Sequence, residues 1–474
     1  MELITDFEHA FKLGKECIVD SLGEEPELDF KVPPQTTSMR WEMSIQALEN
    51  TLKYIFNKLH HTCYLLCIKK GVPKMYKLES TTTSPTFTRA IQRQLIKLKT
   101  NKKVSESQKK FITERMNHPV RVMQCIVREF SGLKTYKKLL PENEYMEVLR
   151  KCNLPNGVYI LNLTDAIILR NDNHEPFTMV TGDVPLEQEF QFDKYIPIMS
   201  MSSQQGYSDI PIPTYDDIFI VTGDATLPTY VPWEDKIHDQ AVFRGGPTGC
   251  GYTEKTNMRI KLVQMKSTLI NAKLRIRKAT EKGRSADSKT SIRFDPEYGI
   301  GMMNTGIMEG EYLPMSEQAK YKYIIHVDGN VLAYRLLSSF ATGSLILRVE
   351  SPYISWVDHL IEPNKHYVSI KGDLSDLTDK IKMLNKFPAV AKRIAEAGRD
   401  FAVKMLTMPN VRSIIEAVCW KSVHAKQSNP DKPTEEDDNS SIASDDTLTD
   451  NEDNIVEEPK EETKEETKEE TKEE

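Results

Sequence analysis

Three places in the chain carry residue types and spacings suited to chemistry. Phe243-Arg244-Gly245-Gly246-Pro247-Thr248-Gly249 sets a permanently charged guanidinium beside backbone amides that glycine leaves open, a combination that suits a diphosphate. Arg335 follows the turn Asp328-Gly329-Asn330, where a buried arginine requires an anion to offset its desolvation. Asp165, just past the apolar run Val158 to Leu163, is a carboxylate able to take a proton from an acceptor hydroxyl. Each has a plainer reading as well: a glycine turn with a structural arginine, and an aspartate that serves a turn or a cap. Asp183, Asp209, Asp216 and Asp217 are rival carboxylates, while His326 and His366 read as a core histidine and a weak cleft candidate. The glycine spacing is neither a P-loop nor GxGxxG, and no GxSxG, HExxH or Ser-His-Asp spacing occurs. A DxD-type metal site is also absent.

The elements that must position these residues are those of an α/β fold. Tyr323 to Val327 reads as a buried strand, Asn330 as the cap of a helix with apolar positions Val331, Leu332, Leu336, Leu337 and Phe340, and Ser344 to Val349 as the returning strand. Such a βαβ unit puts helix-terminal amides, here those of Asn330 and Val331, at the carboxyl edge of a parallel sheet. Further strands are expected at Cys63 to Ile68, Val158 to Leu163, Tyr195 to Met201, Asp217 to Val221, Ala241 to Phe243, Lys273 to Arg277 and His366 to Ile370. Helices are expected at Ile4 to Leu22, after Arg40, after the glycine turn where Asn257, Arg259 and Leu262 lie, after Asp373, and over Phe387 to Leu406.

The charge of −7 is divided unevenly along the 474 residues. Gln427 to Glu474 carries 20 acidic residues and 5 lysines, leaving the preceding body at +8, a balance that suits an anionic ligand. The KEET repeats at Lys460 to Glu474 lack the apolar surface to fold and predict a disordered acidic tail. Lys97 to Lys103, KLKTNKK, is a basic run without interleaved aromatics and reads as a solvated face rather than a nucleic-acid site. The seven cysteines form no repeated framework and read as reduced, mostly buried thiols; Cys63 and Cys67 near His60 and His61 find no second pair at zinc spacing. No export signal and no membrane-length apolar run is present, so the expected location is the cytoplasm.

Five segments then occur in one order: FRGGPTG at Phe243 to Gly249, NMR at Asn257 to Arg259, YKYIIHVDGNVLAYRL at Tyr321 to Leu336, GSLILRVESPY at Gly343 to Tyr353, and HYVSIKGDLSDL at His366 to Leu377. Together they resemble glycosyltransferase family 90, the group of capsule-associated xylosyltransferases and protein O-glucosyltransferases, and among its members the cytosolic ones of large DNA viruses. The resemblance implies a GT-B-like α/β fold, two Rossmann-like domains facing a cleft, and inverting transfer from a UDP-sugar to a hydroxyl of a glycan or protein. The UDP-sugar is a substrate; no cofactor and no metal is implied. Matched to the family's motifs, Asp165 corresponds to the general base, although Ala166-Ile167 replace its usual aromatic and proline. Arg244, Gly245, Gly246, Thr248, Asp328, Gly329, Asn330, Val331, Arg335 and Ser344 correspond to the donor side. Animal members carry a further arginine after FRGS; here Arg259 is the candidate to replace it. The expected division is an N-terminal extension, helical with some strand, at 1–136; an acceptor-side domain at 137–235; a donor domain at 236–385; C-terminal helices at 386–421; and the tail at 422–474. A catalytically inactive protein that keeps the fold as a binding scaffold is the competing expectation.

Overall fold

The computed structural model describes residues 1–18, 40–58, 63–79, 85–102, 104–116, 141–274, 290–304 and 310–424. The Val32-Pro33-Pro34 linker, His60 and His61, Lys103, the expected strand end at Arg275 to Arg277 and the acidic tail lie outside the described residues. The chain divides into two units, Met1–Lys426 and Gln427–Glu474.

Two sheets organise the body Met1–Lys426. The first is built from β1 (Leu3–Ile4), β2 (Cys63–Lys69), β3 (Val72–Leu78), β4 (Gly157–Asn162), β5 (Ile198–Ser200) and, beyond the short β6 (Ser203–Gln204), β7 (Ile210–Pro211), in the order β1-β3-β2-β4-β5-β7. The β2–β3 hairpin closes through Lys70 and Gly71, both at positive φ, the turn whose twist matches that of paired antiparallel strands. From β4 onward the pairing is parallel.

The second sheet is parallel throughout. It comprises β8 (His238–Gly245), β9 (Ile270–Leu274), β12 (Tyr321–His326), β13 (Leu345–Val349) and β15 (Val368–Ile370), in the order β15-β13-β12-β8-β9. The apolar runs Tyr323 to Ile325 of β12 and Leu345 to Leu347 of β13, buried throughout, suit strands covered on both faces. Between β9 and β12 an antiparallel hairpin of β10 (Thr290–Asp295) and β11 (Gly299–Asn304) leaves this sheet, and its Ile292, Phe294 and Ile300 join the core formed with Leu48, Leu52 and Leu65. A second core gathers Tyr159 and Met199 of the first sheet with Ile324 and Ile346 of the second and Phe340 of the helix Leu336–Ala341 between them in sequence. The helix Pro388–Met405 runs tight against that unit, for a Cβ on Gly398 would lie 2.5 Å from the His366 carbonyl. The last helix, Met408–His424, returns to the first sheet, where Tyr159 donates to the Cys419 carbonyl and Trp420 to that of Asn153.

Three expectations change. Asp217 to Val221 is not a strand but part of the helix Tyr215–Thr222: Thr214 and Asp217 close a reciprocal capping box, and that local pairing outweighs the β-branched run behind it. The helix expected from Asn330 begins only at Leu336 and ends at Ala341, because Asp328 accepts the Ala333 amide at 2.7 Å and Gly329 donates to the Val331 carbonyl, which holds 328–333 in a loop. Asn330 and Val331 therefore offer no helix-terminal amides. The first sheet also runs across the boundary expected at residue 136, since β2 pairs with β4 from Cys63↔Asn162 to Ile68↔Gly157.

Candidate active-site cleft

Asp165 is placed by two buried polar pins. At the end of β4, Asn162 donates to the Ala166 carbonyl (2.9 Å) and to Ser200 (3.1 Å), while its own Oδ1 accepts the Thr164 amide; the chain folds back sharply and projects Asp165. Beyond it, buried Asp209 accepts the amides of Ile168 and Leu169 and the Ser200 hydroxyl. Burial pushes the Asp209 carboxyl up to about 7 against the pull of those donors. Its acceptor positions are committed to the loop, which makes it a support for Asp165 rather than a rival. Asp217 is committed likewise, to Thr214 and to the Trp356 indole, and Asp183 pairs with Arg170 at the surface. Asp216 is raised to about 7 by burial and by Asp217, with Arg335 opposing.

The glycine-rich turn follows the carboxyl end of β8. Three arginines converge on its carbonyls. Arg335 donates to the Arg244 carbonyl (2.6 Å), Arg259 to that of Gly246 (3.0 Å), and Arg293 to that of Pro247 (2.8 Å). Arg244 itself turns toward β9, where its guanidinium bonds Asn271 through the carbonyl (2.8 Å) and the side chain (2.9 Å), and burial lowers its pKa. Arg259 and Arg335 lie over the Phe243 ring at 5.8 and 5.7 Å. Arg259, expected as a substitute phosphate ligand, is buried and also donates to the carbonyls of Val327 (2.8 Å) and Asp328 (3.0 Å) and to Thr248 (2.5 Å). It straps the turn to the end of β12. The two turns meet so closely that a Cβ on Gly329 would stand 2.6 Å from the Thr248 hydroxyl.

Ser344 sits elsewhere. It precedes β13, at the amino edge of the sheet, is fully buried, and donates to the Tyr321 carbonyl (2.7 Å) while accepting from Lys236 (3.1 Å). Its position in the motif says nothing about which end of the strand faces a ligand. Ser344 is thus a core residue rather than part of the donor side.

Of the expected site residues, Asp165, Asn330 and Val331 line one solvent-open cleft of about 780 Å³, together with Gly249, Arg293 and Tyr353 among others, whereas Arg244, Gly245, Gly246, Thr248, Arg259, Asp328, Gly329 and Arg335 stand behind that lining. Asn330 connects its walls, accepting the Gly249 amide on Oδ1 (3.0 Å) and donating from Nδ2 to the Asp165 carboxylate (2.9 Å). Tyr353, held by the pairing of β14 (Tyr353–Ile354) with β6, donates to the Asn330 carbonyl at 2.8 Å. Tyr334 also lies against Asp165; burial first, then the Asp165 charge, pushes its phenol well above the usual tyrosine range. Asn162, Asp209, Arg293, Tyr334 and Tyr353 gain their roles only through these tertiary contacts. Among the described residues no group of three or more His, Cys, Asp or Glu is arranged to hold a metal ion, and no helix is long and apolar enough to cross a membrane.

With this geometry in place, comparison with known proteins is decisive. The family model "Glycosyl transferase family 90" matches residues 176–469, more than half of the chain. The chain belongs to this family. Among its relatives, protein 035R of Invertebrate iridescent virus 3 is 29% identical over 308 residues, covering 58% of this chain and 26% of that one. Protein O-glucosyltransferase 3 of Rattus norvegicus is 28% identical over 324 residues, covering 64% and 54%. The chain thus spans about a quarter of the length of the viral relative and about half of the rat one. A sucrose-phosphate synthase from Thermosynechococcus elongatus is a structural neighbour at 10% identity and TM-score 0.26, covering 44% of this chain and 57% of that one. The family match takes in Arg244, Arg259, Arg293 and Arg335 but starts after Asp165, so that residue's place in the site rests on the cleft geometry.

Proposed function

We propose that this family 90 chain is an inverting, metal-independent glycosyltransferase of GT-B arrangement that moves a sugar, glucose or xylose, from a UDP-sugar to a hydroxyl of a glycan or protein. The observation that carries this reading is the convergence of three guanidiniums, those of Arg259, Arg293 and Arg335, on one glycine-rich turn, beside a cleft that Arg293 and Asp165 both line. Positive charge fixed before the reaction is worth most where negative charge develops, here on the departing diphosphate. The O-glucosyltransferase relatives support glucose as a donor sugar, and the arginines supply the charge neutralisation that a divalent cation would otherwise give.

In this mechanism Asp165 accepts the proton of the acceptor hydroxyl as its oxygen forms a bond to the anomeric carbon from the face opposite the leaving group. The bond from that carbon to the diphosphate oxygen breaks, its electron pair departs with UDP, and the anomeric configuration inverts. Arg293, the arginine that lines the cleft, is the one assigned to the leaving group, and Arg244, Arg259 and Arg335 hold the turn. The test is UDP release from UDP-glucose and UDP-xylose, with saccharide and peptide acceptors, in the presence and absence of EDTA. Expected are EDTA-insensitive turnover with one donor and a product of inverted anomeric configuration by NMR. Turnover that requires an added divalent cation, or retained configuration, refutes the proposal.

A further inference from the structure

Asn330 is held by bonds that fix which way its amide faces. Its Oδ1 accepts from the Gly249 backbone N–H, which can only donate, so the Nδ2 group must face Asp165. Its carbonyl is pinned separately by Tyr353, from a strand that pairs across to β6. The partners stand 81 and 165 residues away, one on the donor turn and one past the end of β4. One side chain therefore spans the cleft, with an acceptor on the donor wall and a donor on the carboxylate.

We propose that Asn330 is a positioning residue that ties the donor-binding turn to the proposed base, orienting the Asp165 carboxylate while its other end holds the Gly249 amide. The inference rests on the reading of Asp165 as base. The amide donates to Oδ2, favouring the ionised, proton-accepting form and fixing the plane in which the carboxylate meets an incoming hydroxyl. Donor and acceptor walls are thereby linked through one side chain.

The informative variant is Asn330→Asp, which keeps an acceptor for Gly249 but sets a second carboxylate against Asp165. Two facing carboxylates share a proton, so the acid limb of the pH–rate profile should move up by about one pH unit or more, with transfer at neutral pH falling roughly 10²-fold. An unchanged limb overturns the coupling. An arm independent of any substrate compares melting temperatures of wild type, Asn330→Asp, Asp165→Asn and the double swap. The swap restores a donor facing an acceptor, so it should recover the melting temperature lost in Asn330→Asp while remaining inactive; losses that simply add overturn the proposal. Should Asn330→Asp not fold, Asn330→Ala with and without Asp165→Ala supplies the same cycle. Full transfer by Asp165→Asn alone would instead sink the base assignment, whatever the melting cycle shows.

Discussion

Arg259 distinguishes a strap from a ligand, and the two make opposite predictions for Arg259→Met. In the structure its three nitrogens reach the carbonyls of Gly246, Val327 and Asp328 and the Thr248 hydroxyl. The methionine stem preserves packing over Phe243 but leaves those buried acceptors without the guanidinium. Hydrogen bonds to a charged group contribute about 1.5–3 kcal/mol each and combine less than additively, so a total near 4 kcal/mol is the working figure. For the body Met1–Lys426, unfolding entropy at roughly 2.1 cal/mol/K per residue is about 0.9 kcal/mol/K, which converts that loss to about 4–5 °C. Calorimetric scanning of the ligand-free protein, paired with UDP titration, is the assay. Arg259→Lys keeps the charge but not the fork, and should fall between wild type and methionine. A ligand-free melting temperature within about 1 °C of wild type, together with lost UDP affinity, would show that Arg259 serves the donor rather than the fold.

Two buried groups at the opposite edge of the parallel sheet allow sharper tests of stability. Ser344→Ala should lower stability by about 1–2 kcal/mol in urea, since Tyr321 and Lys236 each lose a partner, yet leave UDP affinity unchanged because the residue lies at the far edge of the sheet. Lys236 is buried against the carbonyls of Ala319 and Thr342, and desolvation lowers its pKa from 10.5 to about 7. The unfolded chain keeps that proton up to its ordinary pKa while the folded chain releases it near 7, so rising pH favours folding between the two values. Wild type should therefore gain on Lys236→Met by on the order of 1 kcal/mol per pH unit above 7, measured as urea midpoints, and a flat difference would refute the buried-amine reading.

How much of the fold and site was legible in the sequence depended on how far each interaction reaches along the chain. The parallel strands announced themselves through apolar runs such as Tyr323 to Val327, and the helix expected around Asn257, Arg259 and Leu262 is present as Met258–Gln264, with Asn257 as its cap rather than within it. The helix Tyr215–Thr222 was readable too, through the Thr214 and Asp217 spacing, but Ile218 to Val221 masked it. Asn330 looked like a helix cap because Asn types favour that role; its actual partners lie 81 and 165 residues off, beyond any local pattern. The same holds for Arg293, which arrives from a hairpin outside the parallel sheet. Asp165 was visible as a type and a place, whereas the pins that aim it, Asn162 and Asp209, were hidden by their burial in tertiary contacts.

The N-terminal residues bear on the site more directly than an extension would. The family match begins at Pro176, after β4, yet β4 is the strand whose last residue, Asn162, shapes the Asp165 loop. β2 lies between β3 and β4 and pairs with β4 along its whole length. Leu48, Leu52 and Leu65, all fully buried, pack in one core with Val158 and Ile160. Each such side chain contributes about 1.5–3 kcal/mol by leaving water, so removing three already exceeds half the net stability of a typical domain. A chain starting at Pro141 should therefore expose β4 as an unpaired apolar edge, bind a hydrophobic dye, melt without cooperativity and lose UDP-sugar turnover. A cooperative melt with retained turnover would show that β2 and its helices are an accessory layer. The loss of both together would place β2 within the wall that carries the base, since the register of β2 against β4 sets where Asn162, and hence Asp165, stands.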